Sequence, residues 1–423
     1  MLRISLIIGL VLGSIFFLYG TTLADTHTAA SCSRNDVLAA ITASSDGDTI
    51  NIPAGDCTWS SGVSLSGPRT IKGQGSDRTI IRMNVGGTTF SHDDIGAWMR
   101  YTGIGFYGSP TSAAKAIEFK NGTNFRIDHC RFYPSTWHGV ITSKRIVKGL
   151  IDHNIFERND VGGSDYGINW GSNYGTGNPP SCQSYTEPCT SPDCISCRNT
   201  WSDWWNNVDN QNTFRPFNGN FVPGTENAIF VEDNVFNWKG SAMEANWGSM
   251  ANIVVRNNSF SNRDGNNGGV KPGAEHCEIY NNTFENLRSD RPTSAALYIR
   301  SSCLVYNNTF KYYDHGGEFA AWSCGFGYCY LLDNPKVLMH DTYIYNNTYQ
   351  NAVCPGDNSN CWTEWGEGDP NRISENQNYF FRAPRSGDRI YPYTPYTYPH
   401  PLTLGDPPPD QPRPAKPKTP KIL

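Results

Sequence analysis

Apolar and polar positions along the chain follow a six-residue phrase that recurs with little change. It reads Ile127-Asp-His-Cys-Arg-Phe132, Ile151-Asp-His-Asn-Ile-Phe156 and Val231-Glu-Asp-Asn-Val-Phe236. It continues as Val255-Arg-Asn-Asn-Ser-Phe260, Ile279-Tyr-Asn-Asn-Thr-Phe284, Val305-Tyr-Asn-Asn-Thr-Phe310 and Ile344-Tyr-Asn-Asn-Thr-Tyr349. The closing aromatics are spaced 24, 80, 24, 24, 26 and 39 residues apart, and Phe106 precedes Phe132 by 26. A period of about 24, with β-branched residues and turn asparagines, is too short for a propeller blade and lacks the leucines of a leucine-rich repeat. It predicts one coil of a parallel β-helix, with three short strands per turn. The two long intervals then hold insertions at about 171–226 and 320–336, after subtraction of one coil each.

Stacked coils repeat at the interstrand spacing of about 4.8 Å, so equivalent positions form columns. The position two before the anchor reads Cys130, Asn154, Asn234, Asn258, Asn282, Asn308 and Asn347. Asn tolerates left-handed backbone at tight bends, and stacked amides can bond from coil to coil. These asparagines are therefore expected to form a buried ladder and to carry the bend. Tyr280, Tyr306 and Tyr345 are expected to stack outward. Asp128, Asp152 and Glu232 share an outward acidic column, where Ca²⁺ between Asp128 and Asp152 is the alternative to a plain repeat feature, since stacked carboxylates repel unless bridged. The same Asn-Asn-Thr and Asn-Asn-Ser phrases read as glycosylation sequons at Asn257, Asn281, Asn307 and Asn346.

Asp36–Ile41 reads as a short helix capping the open end of the coil stack, whose strand groups would otherwise be unpaired. Gly47–Pro53 and Arg69–Gly75 read as first-coil strands. Tyr391–Pro401 lacks strand alternation and is expected to lie over the last coils. Residues 1–24 carry Arg3, an apolar run and a small-residue cleavage signature at Thr22-Leu23-Ala24, which predicts a secretory signal peptide. The mature protein is then expected to be secreted, extracellular or periplasmic, free of the membrane and monomeric. The domain plan is a leader over 1–24, one β-helix domain over 25–402 and a Pro-rich tail over 403–423.

Composition agrees with this division. Gly (41) and Pro (27) are too frequent for a helical bundle, and 13% aromatic residues are too many for a disordered chain. A net charge of -5 excludes a generic basic nucleic-acid binder. All 13 Cys follow the leader, where an oxidising compartment permits disulfides. The expected pairs are Cys32 with Cys57, Cys324 with Cys329, Cys354 with Cys361, and two among Cys182, Cys189, Cys194 and Cys197, with Cys130 left as a free thiol. For the last group a metal site is the alternative.

The helical cap, the Gly47-Asp-Thr-Ile-Asn-Ile-Pro-Ala-Gly55 strand and the coil phrase together resemble the pectate-lyase-like superfamily of right-handed parallel β-helix proteins. The closing Tyr396-Thr-Tyr-Pro-His-Pro-Leu402 is similar to the C-terminal phrase of many exported bacterial members with no assigned activity. In the resembling enzymes the strand upstream of the repeated phrase carries the saccharide cleft. Here those strands supply Glu244, Lys271, Arg300 and Glu318 on successive coils, with Trp247 and Tyr298 among them. The first insertion adds Trp201, Trp204 and Trp205, and aromatic rings suit the apolar faces of sugars.

Lys271 and Arg300 resemble the Lys/Arg pair of the alginate and chondroitin lyase family, although Lys271 lies in Val270-Lys-Pro-Gly273 rather than in that family's Ser-x-Lys-Ser pattern. The resemblance implies a lyase that cleaves an acidic polysaccharide by β-elimination. Such chemistry needs a base, a proton donor and a positive group beside the developing enolate. Lys271 and Arg300 are the expected catalytic residues, and Trp247, Tyr298, Trp201, Trp204 and Trp205 the expected substrate contacts. Glu244 is the expected ligand of a Ca²⁺ cofactor. The alternatives are a non-catalytic carbohydrate-binding or cell-surface β-helix, and a glycoside hydrolase using Asp264 or Asp314 with Glu318.

Overall fold

A computed structural model shows how these columns are built. It describes residues 24–92, 98–108, 114–119, 124–133, 140–142, 149–158, 167–170, 223–238, 242–245, 252–262, 270–271, 276–287, 293–299, 302–320, 341–351, 359, 361–365 and 374–404. The chain winds through three parallel sheets, called here A, B and C in the order each coil visits them. Among the described residues sheet A has 12 strands, from Thr26–Thr28 to Tyr379–Phe380. Sheets B and C have 10 strands each, from Gly55–Trp59 to Thr348–Gln350 and from Val63–Leu65 to Trp362–Trp365. The protein is therefore the expected parallel β-helix. Most of the expected leader, of the two insertions and of the Pro-rich tail lies outside the described residues.

The repeated phrase is the corner between sheets A and B. In every repeat two residues separate the strands, as in Asn252–Arg256 followed by Ser259–Asn262. The first of the two turns the chain. His129, His153, Asp233, Asn257, Asn281, Asn307 and Asn346 all have φ between 54° and 58°, the left-handed region that Asn and Asp tolerate best among residues with a side chain. The expectation that the ladder asparagines carry the bend is thus corrected by one residue: the sequon positions bend, and the next residue bonds.

That next residue makes the ladder. Asn258 Oδ1 accepts from Asn234 N at 2.9 Å and from Asn234 Nδ2 at 3.0 Å. Its own Nδ2 donates to Val231 O on the preceding coil and to Asn282 Oδ1 on the following one. The same pattern joins Asn154, Asn234, Asn282, Asn308 and Asn347. Cys130 closes the column as a buried free thiol that donates only its backbone N–H, to Asn154 Oδ1. Two residues further on, the anchor rings form a parallel stack inside the coil. Ring centroids are 4.6 Å apart for Phe156–Phe236 and Phe236–Phe260, and 4.7 Å for Phe260–Phe284.

The N-terminal end is covered by the helix Arg34–Ala43, longer than expected at both ends, with the Ser33 side chain capping Asp36 N. Val37, Ala40 and Ile41 face inward onto the first coils. Cys32 pairs with Cys57 as expected. Cys277 and Cys303, register partners on neighbouring strands of sheet A, form a disulfide the spacing arguments did not anticipate. Cys361 is also disulfide-bonded. Cys182, Cys189, Cys194, Cys197, Cys324, Cys329 and Cys354 lie outside the described residues.

The two Asn columns differ in what they lose on truncation. Asn258→Ala strips acceptors and donors from buried neighbours on both sides, an expected loss of about 3–5 kcal/mol. Asn281→Ala, exposed at the bend, is expected to cost only about 1–2 kcal/mol for the left-handed backbone. Urea unfolding measures both, and equal losses would contradict the ladder.

Candidate functional site

Each sheet offers one outer face, and the faces differ in what covers them. On sheet A two outward columns run side by side. One is Thr102, Asp128, Asp152, Glu232, Arg256, Tyr280, Tyr306 and Tyr345. The other contains Arg100, Arg126, Leu150, Phe230, Val254, Glu278, Leu304 and Tyr343. The acidic column exists as expected, but arginines supply the bridging that stacked carboxylates require. Arg100 grips Asp128 through Nε and Nη2 at 2.8 and 2.9 Å. Arg126 grips Asp152 at 3.0 Å through both nitrogens, and Arg256 Nε donates to Glu232 Oε2 at 2.6 Å. Guanidinium forks match carboxylates at two points, which suits these buried pairs. His129 and His153 stack at 5.3 Å, with Nδ1 of each bonded to the preceding aspartate.

This face is not open, because the C-terminal segment lies on it as a strap. Tyr393 Oη donates to Glu278 Oε2 at 2.6 Å, and Arg256 donates to the carbonyls of Tyr396 and Thr397. Tyr398 Oη donates to Asp233, the backbone N–H of His400 to Glu232, and Arg126 to the carbonyl of Leu402. The strap therefore runs back from the last coil as far as the strand Asn124–Asp128, well beyond the last coils where it was expected. It also buries the tyrosine stack. Tyr280, Tyr306 and Tyr345 do lie ring on ring, at 4.7 and 4.9 Å, but Tyr280 and Tyr306 are covered rather than outward in solvent.

Burial governs the titration of this face. Burial alone would push the Asp128 carboxyl up, but bonds from His129 and Arg100 and the charges of Arg126 and Arg100 hold it well below the carboxylate range. Burial lifts Glu232 to about 6 despite Arg256, and it lifts Glu278 as well.

Sheet C holds the backbone positions of several of the predicted site residues. Register places Glu118, Ile141, Asn169 and Glu244 on successive strands, and Glu244 pairs directly with Lys271. Val270 pairs with Leu297, which sets Lys271 beside Tyr298, and Tyr298 pairs with Glu318. Four of the predicted residues thus occupy consecutive rungs of one column at the interstrand spacing of about 4.8 Å. Tyr298 is buried, and further up the column Glu118 accepts from Thr88 Oγ1 at 2.6 Å and lies 3.6 Å from Lys115 Nζ. Arg300, Trp247, Trp201, Trp204 and Trp205 lie outside the described residues, as does Asp264. Both insertions leave the chain after strands of this sheet, Ile168–Trp170 and Tyr313–Ala320, and return to strands of sheet A. Among the described residues no three His, Cys, Asp or Glu side chains gather into a metal-binding group.

No family model matches the chain, and no curated protein matches it. Among solved structures it is similar to a mannuronic acid specific polysaccharide family 6 lyase enzyme from human gut microbiota. That likeness has a TM-score of 0.44 and 18% sequence identity, covering 82% of this chain and 77% of the other.

The depressed Asp128 carboxyl gives acid sensitivity a sign. Its contribution to stability is complete above the ordinary value of 3.8 and is lost as pH falls below it. Asp128→Asn is expected to lower stability at neutral pH by about 2–4 kcal/mol, since Arg100 loses its buried partner. It should also flatten the acid limb of a stability–pH profile, and a limb as steep as that of the unsubstituted protein would refute the assignment.

Proposed function

We propose that this protein is a secreted polysaccharide-active β-helix that cleaves an acidic polysaccharide by β-elimination on the outer face of sheet C. The observation that carries the reading is the register pairing of Glu244 with Lys271, followed by Tyr298 and Glu318 on the next two strands. A polymer laid along the helix axis would cross these strands one rung at a time, whereas sheet A is occupied by the strap. In the proposed reaction Lys271 takes the proton α to the uronate carboxylate. The electron pair moves to form the double bond and expels the glycosidic oxygen, which takes up a proton. Arg300 stabilises the charge that develops on the carboxylate. Trp247, Tyr298, Trp201, Trp204 and Trp205 are the proposed sugar contacts.

Ca²⁺ held by Glu244 would add charge neutralisation at the substrate carboxylate. The hydrolase alternative is less well supported. Asp314 and Glu318 lie four residues apart in one strand, roughly 13 Å of extended backbone, whereas paired glycosidase carboxylates stand about 5–9.5 Å apart. Export is supported by the disulfides Cys32–Cys57 and Cys277–Cys303. No helix among the described residues is long and apolar enough to cross a membrane.

Incubation with alginate, pectate and chondroitin, with and without a chelator, is expected to release products absorbing as unsaturated uronates. Lys271→Ala should lower kcat/KM at least about 100-fold without moving the thermal transition. No unsaturated product from any uronate polymer would overturn the lyase reading. Glycan binding that survives Lys271→Ala and Arg300→Ala, with no cleavage, would favour a binding module instead.

A further inference from the structure

The strap ends on an imidazole whose surroundings fix its charge. His400 is 8% exposed, with its ring edge-on to Phe230 at 4.8 Å and tilted against Tyr396 at 5.4 Å. Its backbone N–H donates to Glu232 Oε1 at 2.8 Å. Its Nδ1 accepts from the backbone N–H of Leu402 at 3.2 Å, capping the 3-10 turn Pro401–Thr403. A ring nitrogen that accepts a hydrogen bond carries a lone pair, so Nδ1 is unprotonated in this arrangement. Two guanidinium groups serve the same stretch of strap: Arg126 holds the Leu402 carbonyl, and Arg256 holds those of Tyr396 and Thr397. A proton on His400 would remove the cap acceptor and add a third buried cation.

We propose that His400 is an acid-sensing latch, which holds the end of the strap against sheet A while neutral and releases residues 398–404 when protonated. Release would uncover the Arg126–Asp152 and Arg256–Glu232 pairs and free the root of the Pro-rich tail. The latch sits on the face opposite in role to the proposed cleft and does not depend on the lyase reading.

The groups facing it decide the direction. Burial first, then the charge of Arg256, holds His400 down to about 4 from 6.5; Asp152 opposes this, Arg126 adds to it by less, and Glu226 opposes it least. Docking is therefore complete above 6.5 and weakens as pH falls toward 4. Glu232 works the other way: burial raises it from 4.5 to about 6, so acid favours its docked state. Asp233, bonded to Tyr398 and facing His153, is also raised by burial and opposes release in the same sense. At about pH 5, the His400 values correspond to about 30-fold weaker docking and the Glu232 values to about 8-fold stronger docking. The imidazole prevails by a few-fold.

Hydrogen exchange read by mass spectrometry over residues 396–404 of the full chain tests this, with variants compared at the same pH so that the intrinsic chemistry cancels. His400→Asn keeps a cap acceptor without a titrating group, and His400→Ala removes both. At about pH 7.5 the unsubstituted protein and His400→Asn should exchange alike, and His400→Ala faster. At about pH 5 the unsubstituted strap should exchange about 30-fold faster than that of His400→Asn, with sheet B amides unchanged. Equal strap exchange in the two at about pH 5 would overturn the latch. Should His400→Asn prove loose at both pH values, exchange of the His400 ring C–H decides: titration near 4 supports the latch, and titration near 6.5 overturns it.

Discussion

The whole molecule depends on a corner between sheets A and B that keeps a length of two residues from the strand Trp98–Thr102 onward. One residue takes left-handed backbone and the next sends its amide up and down the stack. A change of one residue would put every strand side chain of that coil on the wrong face. The asparagine ladder penalises such a slip directly, because a displaced amide leaves its neighbours above and below without partners in a dry column. The Phe stack behind the ladder adds ring-on-ring contact at the same spacing. Polar and apolar columns thus enforce one register, and that register brings residues from distant parts of the chain into line, such as Asn169 with Glu244 across an interval of 75 positions.

The same constraint creates the electrostatic problem of sheet A. Identical column positions place like charges one strand apart, where repulsion is strong and burial makes it stronger. The solution uses the diagonal. Arg100 and Arg126 stand in the neighbouring column and reach across to Asp128 and Asp152, one coil further along. Glu232 instead meets Arg256 within its own column. Pairs so formed still have hydrogen-bonding capacity to satisfy, and the strap supplies it through carbonyls to the arginines and N–H or O–H groups to the acids. The strap is therefore a polar complement to this face, and its tyrosines extend the aromatic column at the far end.

Much of this was legible in the chain, for a physical reason. Across the repeated phrases the A–B corner has fixed length, so its columns appear as a constant offset from the anchor aromatic. Coil period, ladder, ring stack and the free Cys130 all follow from that offset. Cys277 and Cys303 each precede their anchor by seven positions, so the disulfide was readable by the same rule. The arginine partners were not, since they lie in a different column from the acids they neutralise. Nor was the extent of the strap, which has no periodicity of its own and takes its path from groups on five other strands.

Sheet C obeys a looser rule. Its strands join sheet A through connections of six residues after Ala245, four after Lys271 and two after Ile299, so no constant offset from the anchor marks its columns. Glu244, Lys271 and Glu318 could be placed on successive coils, but only strand pairing sets Tyr298, rather than Arg300, in line with Lys271. Variation is tolerated there because the fold asks little of those connections: the A–B corner already holds the register. Loops released from that duty can change in length and chemistry without cost to the stack, and residues for recognition and catalysis tend to collect where loops are supported by a rigid frame. Both long insertions depart from sheet C. The sheet least constrained by folding is thus the one whose register aligns Glu244, Lys271 and Glu318, and this division of labour is the physical argument for placing the proposed site there.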